Sequence, residues 1–225
     1  MIVLNAFQKT YHQKTVLDFP GFSFTEGKIY AIIGANGSGK STFAGIIAGF
    51  LSADSNAFPY SSVMPAVGYL PQKPYPFRMS VYKNLMLNGS GDNSDDRERA
   101  EKLLTALDLK KLISERANRL SGGETVKMAL ARLLMKEYSF LILDEPTTAM
   151  DIHSTLQAER LIKEYRSTNN ATIILITHSL KQAQRMADEV LFFQEGRLLE
   201  YGPVQQVLTS PQIAATKEFL EFYGA

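Results

Sequence analysis

The run Gly34-Ala35-Asn36-Gly37-Ser38-Gly39-Lys40-Ser41-Thr42 restricts the fold more than any other stretch of this chain. Ahead of it lies Ile29-Tyr30-Ala31-Ile32-Ile33, short, apolar and β-prone. After it, Phe43-Ala44-Gly45-Ile46-Ile47-Ala48 carries apolar residues at helical spacing. The glycines therefore sit where a buried strand turns into a helix, which is the setting of a phosphate cradle. Backbone N–H groups must converge on an anion there, and side chains at Gly37 and Gly39 would block the approach. A helix opening near Lys40 aims unpaired N–H groups and the positive end of its dipole at the phosphates. In such a cradle Lys40 reaches the β- and γ-phosphates and the Ser41 hydroxyl holds Mg²⁺.

The remaining bulk properties narrow the class. The 225 residues suffice for one large domain, or a core with a smaller lobe. Lys and Arg number 24 against 23 Asp and Glu, so no global field draws nucleic acid or an anionic membrane surface. The lack of cysteine excludes disulfides and thiolate metal sites. Met1-Ile2-Val3-Leu4-Asn5 shows no basic region with a long apolar run behind it, so no signal peptide is expected. No apolar stretch approaches the ~20 residues of a membrane span. Work at a membrane would need another chain to do the spanning.

In chain order, residues 2–7 and 16–24 read as short strands, the second broken at Pro20-Gly21, with Lys9 to Lys14 as a polar turn between them. The segment 51–65 is loose, and Val67-Gly68-Tyr69-Leu70 is a strand ending in Pro71-Gln72. Pro74, Tyr75, Pro76 and Phe77 form an aromatic, proline-rich patch, and 88–96 is a polar hinge or linker. Ser94 or Asp95 caps a helix whose apolar face carries Ala100, Leu103, Leu104 and Leu107, and Leu109, Leu112 and Ile113 continue helical material. Residues 81–120 thus read as a helical lobe inserted between 1–80 and 121–225, which form an α/β core with an antiparallel β-lobe. Beyond it come a helix over 125–135, a strand at Phe140-Leu141-Ile142-Leu143 and a helix over 155–167. A strand over 171–176, a helix over 180–187, a hairpin of 190–193 with 197–201, and a final helix over 211–222 complete the chain.

Several reactive groups fall at the ends of core strands, the edge where open α/β sheets bind ligands. Asp144, ending a buried strand, is placed to reach Mg²⁺ or its water shell. Glu145 is one residue on, facing away from Asp144, and is a candidate to polarise an attacking water. His178, in Thr177-His178-Ser179, follows another apolar strand, although a lone histidine there is more often structural. Ser121-Gly122-Gly123 opens a second helix and so a second anion-binding start, or simply a Ser-capped helix. One nucleotide does not need two such loops. Either they converge within the monomer, or the second serves a nucleotide held by another molecule.

Taken together and in this order, the motifs resemble the ATP-binding subunits of the ABC transporter family. GANGSGKST resembles the Walker A loop, Gln72 in GYLPQ the Q-loop glutamine, and LSGGE the family signature. LILDEP resembles Walker B with its catalytic glutamate, Thr148-Ala149-Met150-Asp151 the D-loop, and His178 the switch histidine. Tyr11 sits where the family stacks an aromatic ring on adenine. The resemblance spans 2–201 and implies a phosphate-loop NTPase core working as a head-to-tail dimer. Each ATP would lie between the phosphate loop of one copy and Ser121, Gly122 and Gly123 of the other. It further implies that Gln72 contacts Mg²⁺ and the attacking water, Glu145 is the base, His178 meets the γ-phosphate and Asp151 lies at the dimer seam. The lobe near Tyr75, Pro76 and Phe77 would receive a helix of a membrane-spanning permease subunit, at the cytoplasmic face of the membrane.

Departures from the family pattern are Glu124 in place of the usual glutamine, Lys127 where arginine is common, and a short 53–68 segment that implies a trimmed β-lobe. Glutamate near a triphosphate would weaken binding by repulsion, an effect kept small by its place at the loop's far end. The alternative reading is a soluble ABC ATPase serving as an assembly scaffold. A long coiled-coil insert, a tandem second cassette and an Asn-Lys-x-Asp guanine motif are all missing, which argues against chromosome-maintenance, translation-type and GTPase readings. The stretches 72–81 and 216–220 resemble importers of oxyanions such as phosphate or tungstate, and polar amino acid importers look similar. An importer further implies an external solute-binding protein. No regulatory domain is expected after the final helix.

Overall fold

The structure, a computed structural model, describes residues 1–54, 59–61, 64–89 and 93–223. Parts of the expected loose segment 51–65 and polar linker 88–96, namely 55–58, 62–63 and 90–92, lie outside the described residues.

The apolar runs explain the centre of the molecule. Strands β5 (Ile29–Ile33), β7 (Phe140–Asp144) and β8 (Thr172–Ile176) are buried at every position. Ile29, Ala31, Ile33, Leu141, Leu143, Ile173 and Leu175 pack into one core cluster. Tyr30, Ile32, Phe140, Ile142, Ile174 and Ile176 pack into another on the opposite side. A strand covered on both faces needs no polar alternation, so each reads as an unbroken hydrophobic run. The three are parallel neighbours, with β6 (Val67–Leu70) parallel beside β7 and β9 (Glu189–Gln194) parallel beside β5. The sheet continues through β10 (Arg197–Pro203) to the hairpin of β2 (Phe7–Tyr11) and β3 (Lys14–Phe19), giving the order β2-β3-β10-β9-β5-β8-β7-β6. Strands β1 (Ile2–Leu4) and β4 (Phe22–Phe24) pair antiparallel as a separate two-stranded sheet.

One face carries α1 (Lys40–Ile47), seated on an aromatic cluster. Phe43 lies 4.8 Å from Phe19 and 5.4 Å from Phe193, centroid to centroid. The other face carries α4 (Gly122–Leu134), α5 (Ile152–Asn169) and α6 (Leu180–Met186). Two further helices, α2 (Val81–Met86) and α3 (Ser94–Ala106), pack on α4. Helices α7 (Val204–Thr209) and α8 (Ala214–Tyr223) end the described chain, α7 having gone unanticipated.

Three local expectations change. Lys9, Thr10 and Tyr11 belong to β2, and the turn shrinks to His12 and Gln13, with φ of 47° and 65°. Two successive left-handed residues match the twist of a tight hairpin, so polar residues flank the turn without being part of it. The cap of α3 is Asn93, whose side chain accepts from the Asp96 N–H at 2.9 Å, not Ser94 or Asp95. Leu109 to Ile113 forms only a short 3₁₀ turn, Lys110–Leu112. After α1, an isolated bridge pairs Leu4 with Tyr60, flanked by Asn5 N–H to Pro59 O at 2.7 Å and Ser61 N–H to Val3 O at 3.0 Å.

Candidate active site

The phosphate loop owes its path to glycines that nothing else could replace. Gly39 holds φ 97° as the N-cap of α1, and a Cβ there would lie 3.0 Å from the Val16 carbonyl oxygen. A Cβ on Gly34 would meet the Phe193 carbonyl oxygen at 2.1 Å, so the loop can leave β5 close to β9 only as glycine. No side chain caps α1. Its first N–H groups are therefore left for an anion. Lys40 is buried, and its Nζ donates to the carbonyls of Gly34 and Ala35 at 2.8 Å each and to Ser38 Oγ at 3.3 Å. Burial lowers its pKa from the ordinary lysine value, opposed by Asp144 and Glu145 nearby.

Around this loop opens a cleft of ≈ 340 Å³. Tyr11, Asn36, Gly37, Ser38, Gly39, Lys40, Ser41 and Thr42 line it together with Gln72, Asp144, Glu145 and His178. Gly34 and Ala35 lie behind it, as the carbonyls that hold Lys40. Residues from four widely separated segments converge because β5, β6, β7 and β8 run parallel and end on one edge. Tyr11, at the end of β2, is 43% exposed, with the Lys9 ammonium 5.3 Å from its ring centroid.

Glu145 is the hub. Gln72 Nε2 donates to Oε2 at 2.9 Å, Thr148 Oγ1 donates to Oε2 at 3.0 Å, and His178 Nε2 lies 2.5 Å from Oε1. Period-two alternation would send Asp144 and Glu145 to opposite faces. Instead both line the cleft, because Glu145 takes a left-handed backbone at φ 50° just beyond the end of β7. Thr148 was not anticipated as a partner of Glu145, although its offset of three residues across a turn is a usable signal.

Asp144 is only 4% exposed. Burial raises its pKa above the usual carboxylate range, against a hydrogen bond from the Ser41 hydroxyl that lowers it. A hydroxyl and a buried carboxylate side by side are hard oxygen donors. Among the described residues there is no cluster of three or more His, Cys, Asp or Glu suited to a metal. Such a sparse set suits Mg²⁺, which keeps several waters and takes phosphate oxygens as its other ligands.

Ser121, Gly122, Gly123 and Asp151 do not join the cleft. Ser121 caps α4 and Asp151 caps α5, accepting from Ser154 N–H at 2.8 Å. Both lie exposed, and Gly123 packs where a Cβ would sit 2.7 Å from the Ala149 carbonyl oxygen. Glu124 turns back on its own helix start. Its Oε2 accepts from Ser121 N–H at 2.8 Å and Ser121 Oγ at 2.7 Å. Glu124 thus completes a capping box with Ser121.

The pattern that defines the ABC transporter family matches residues 17–148. The chain is 36% identical over 208 residues to the tungstate uptake system ATP-binding protein TupC of Peptoclostridium acidaminophilum, covering 88% of this chain and 97% of that one. It is 33% identical over 233 residues to the phosphate import ATP-binding protein PstB of Aeropyrum pernix, covering 92% of each. A solved ATP-binding subunit of an ABC transporter shares the fold with a TM-score of 0.84 at 22% identity, covering 100% of both chains. With its phosphate loop, Asp144, Glu145 and His178 gathered at one cleft, the chain belongs to the ABC transporter family and is one of its ATP-binding, ATP-hydrolysing subunits.

Proposed function

We propose that two copies of this ATPase subunit close head to tail on two ATP molecules and drive import of an oxyanion through separate membrane-spanning subunits. One observation carries the dimer. The helix start at Ser121 to Gly123, exposed at Ser121 and Gly122 and half-buried at Gly123, stands outside the cleft that its own chain builds. In this reading it completes the cleft of the other copy, with Asp151 at the seam.

Within each cleft the N–H groups of residues 37–42 and Lys40 hold the phosphates. Lys40 gives up part of its contact with the loop carbonyls to do so. Ser41, Asp144 and Gln72 hold Mg²⁺, which supplies charge neutralisation on the phosphates. Tyr11 stacks on adenine. Glu145 takes the proton of the attacking water, Gln72 and Thr148 orient its carboxylate, and His178 donates to the γ-phosphate.

The chain is read as one ATP-binding domain in which residues 81–120 form the helical lobe that answers to nucleotide state. Asn84 supports this link. It is fully buried on α2, accepts from Phe77 N–H at 3.1 Å and donates to Phe77 O at 3.0 Å. Gln72 is thereby connected along a short segment to the lobe. Tyr75 and Phe77 stand exposed on that segment, a surface for a permease helix. No described helix is long and apolar enough to cross a membrane, so the permease does the spanning. The subunit then sits at the cytoplasmic face, with an external solute-binding protein delivering solute.

The import direction and the oxyanion follow the tungstate and phosphate systems of the two relatives. Sequencing the neighbouring reading frames, and co-expressing with this chain any membrane protein they encode, tests the proposal. The expected result is a copurifying complex whose ATPase rises with tungstate, molybdate or phosphate and its binding protein. Stimulation by an amino acid and by none of these oxyanions would overturn the substrate class. Copurification with soluble assembly factors alone would favour the scaffold reading.

A further inference from the structure

The turns that carry Glu145 and His178 leave neighbouring parallel strands, β7 and β8. Glu145 N–H still bonds the Ile176 carbonyl at 2.9 Å. Beyond that point side chains join them. One link is the Glu145–His178 contact in the cleft. Another lies behind it, outside the lining of the cleft. Gln182 Nε2 donates to Thr147 Oγ1 at 2.9 Å and to Glu159 Oε1 at 3.1 Å. The backbone N–H of Gln182 also donates to Ser179 Oγ at 3.2 Å, closing the cap that follows His178. A single residue therefore secures the turn of His178 with its main chain and grips the turn of Glu145 with its side chain.

The grip is held from the rear. Gln182 is 3% exposed and Glu159 is 5% exposed. Arg185 Nε and Nη2 donate to the Glu159 carboxylate at 3.0 and 2.7 Å. Both amide hydrogens of Gln182 have acceptors, so its carboxamide has one satisfied orientation. Burying a carboxylate and an amide in this way is weak evidence for stability, since an apolar filling of similar volume often serves as well. Fixed orientation is what the network supplies.

We infer that Gln182, acting through Thr147, is a positioning residue that fixes the Glu145 turn relative to the His178 turn during hydrolysis. The inference rests on the proposed roles of Glu145 and His178. Thr147→Val, Gln182→Met and the double variant test it, with kcat, ATP Kd and Tm measured for each full-length chain. Each single variant is expected to lose about 10- to 100-fold in kcat, as for a sub-ångström to ångström misplacement, with ATP Kd unchanged. The double variant should lose no more than the worse single one, since both cut the same link. Thr147→Ser, which keeps the hydroxyl, should restore turnover. A folded Thr147→Val chain with wild-type kcat, or losses that multiply in the double variant, would overturn the inference. Should Gln182→Met not fold, the half-buried Thr147 carries the test alone, through Thr147→Val against Thr147→Ser. Glu145→Gln in parallel separates the two levels. Wild-type turnover there removes the proposed chemistry, whereas an inactive Glu145→Gln beside an additive cycle removes only the role of Gln182.

Discussion

Replacing Glu145 by glutamine changes one charge at the point where Gln72, Thr148 and His178 meet. The glutamine keeps a carbonyl oxygen for the Thr148 hydroxyl and fills the same volume, so the left-handed turn at φ 50° is retained. What disappears is the basic oxygen. General-base help is worth about 10²–10⁴-fold, or about 3–5 kcal/mol at 1.36 kcal/mol per tenfold. Lys40 and the α1 N-terminus, which bear the phosphates in this account, are untouched. Removing a negative charge beside them leaves ATP affinity equal or higher. ATP should therefore bind, persist and hold two copies together. Single-turnover phosphate release measures the chemistry, a fluorescent nucleotide the affinity, and sedimentation velocity the assembly. Sedimentation at high protein concentration and saturating MgATP gives association its fairest test. Turnover within about threefold of wild type would refute the base assignment, since even weak general-base catalysis exceeds that. A variant that binds ATP yet stays monomeric under those conditions would refute the sandwich.

Other outcomes follow from single contacts. Lys40→Ala removes the buried cation of the cradle and should weaken ATP binding at least ~30-fold by equilibrium titration, the low end for truncating a buried charge pair. Phe43→Ala opens the cluster beneath α1 and should cost about 3–5 kcal/mol. That corresponds to a Tm lower by about 6–20 °C in calorimetry, at 2–4 °C per kcal/mol for a chain of this size, and a fall under about 2 °C would contradict the packing described. The Ser121 hydroxyl and N–H hold the Glu124 carboxyl below the usual carboxylate range. Its contribution is present above the unfolded glutamate value and is lost as pH falls through the lower native one. Glu124→Gln keeps the cap and removes the titrating group, so it should show a shallower drop of Tm on acidification from pH 6 to pH 3, and superimposable acid limbs would refute a charge-assisted cap.

Much of this site was legible because its signals are local. Strand, glycine turn and helix start follow one another in residues 29–48, and the doubly buried strands β5, β7 and β8 announce themselves as apolar runs. The order of those strands could not be read, since parallel pairing joins segments separated by whole helices. Lys9 to Tyr11 were hidden by polarity. They form an outer hairpin strand that alternates weakly, and only His12 and Gln13 carry the left-handed turn. Alternation misplaced Glu145, because a positive φ at the strand end leaves no mark on a glutamate in the sequence. Glu124 closes a capping box with Ser121, and its Ser-x-x-Glu spacing stands in the sequence as a helix-start signal. The network of Thr147, Gln182, Glu159 and Arg185 was invisible for a different reason. Its bonds join residues 23 to 35 positions apart, where neither periodicity nor spacing constrains a side chain.

The central claim is that each nucleotide site is shared between copies, and the cysteine-free sequence permits a direct test. Asn36, exposed on the phosphate loop, and Gly122, exposed at the α4 start, are each replaced by cysteine in separate copies carrying Glu145→Gln. The two are mixed under mild oxidation, with and without MgATP, and resolved on a non-reducing gel. The account predicts a covalent pair between Asn36→Cys and Gly122→Cys chains that forms rapidly only with MgATP. Equal yields with and without nucleotide, or no mixed pair in a sample that binds ATP, would contradict it.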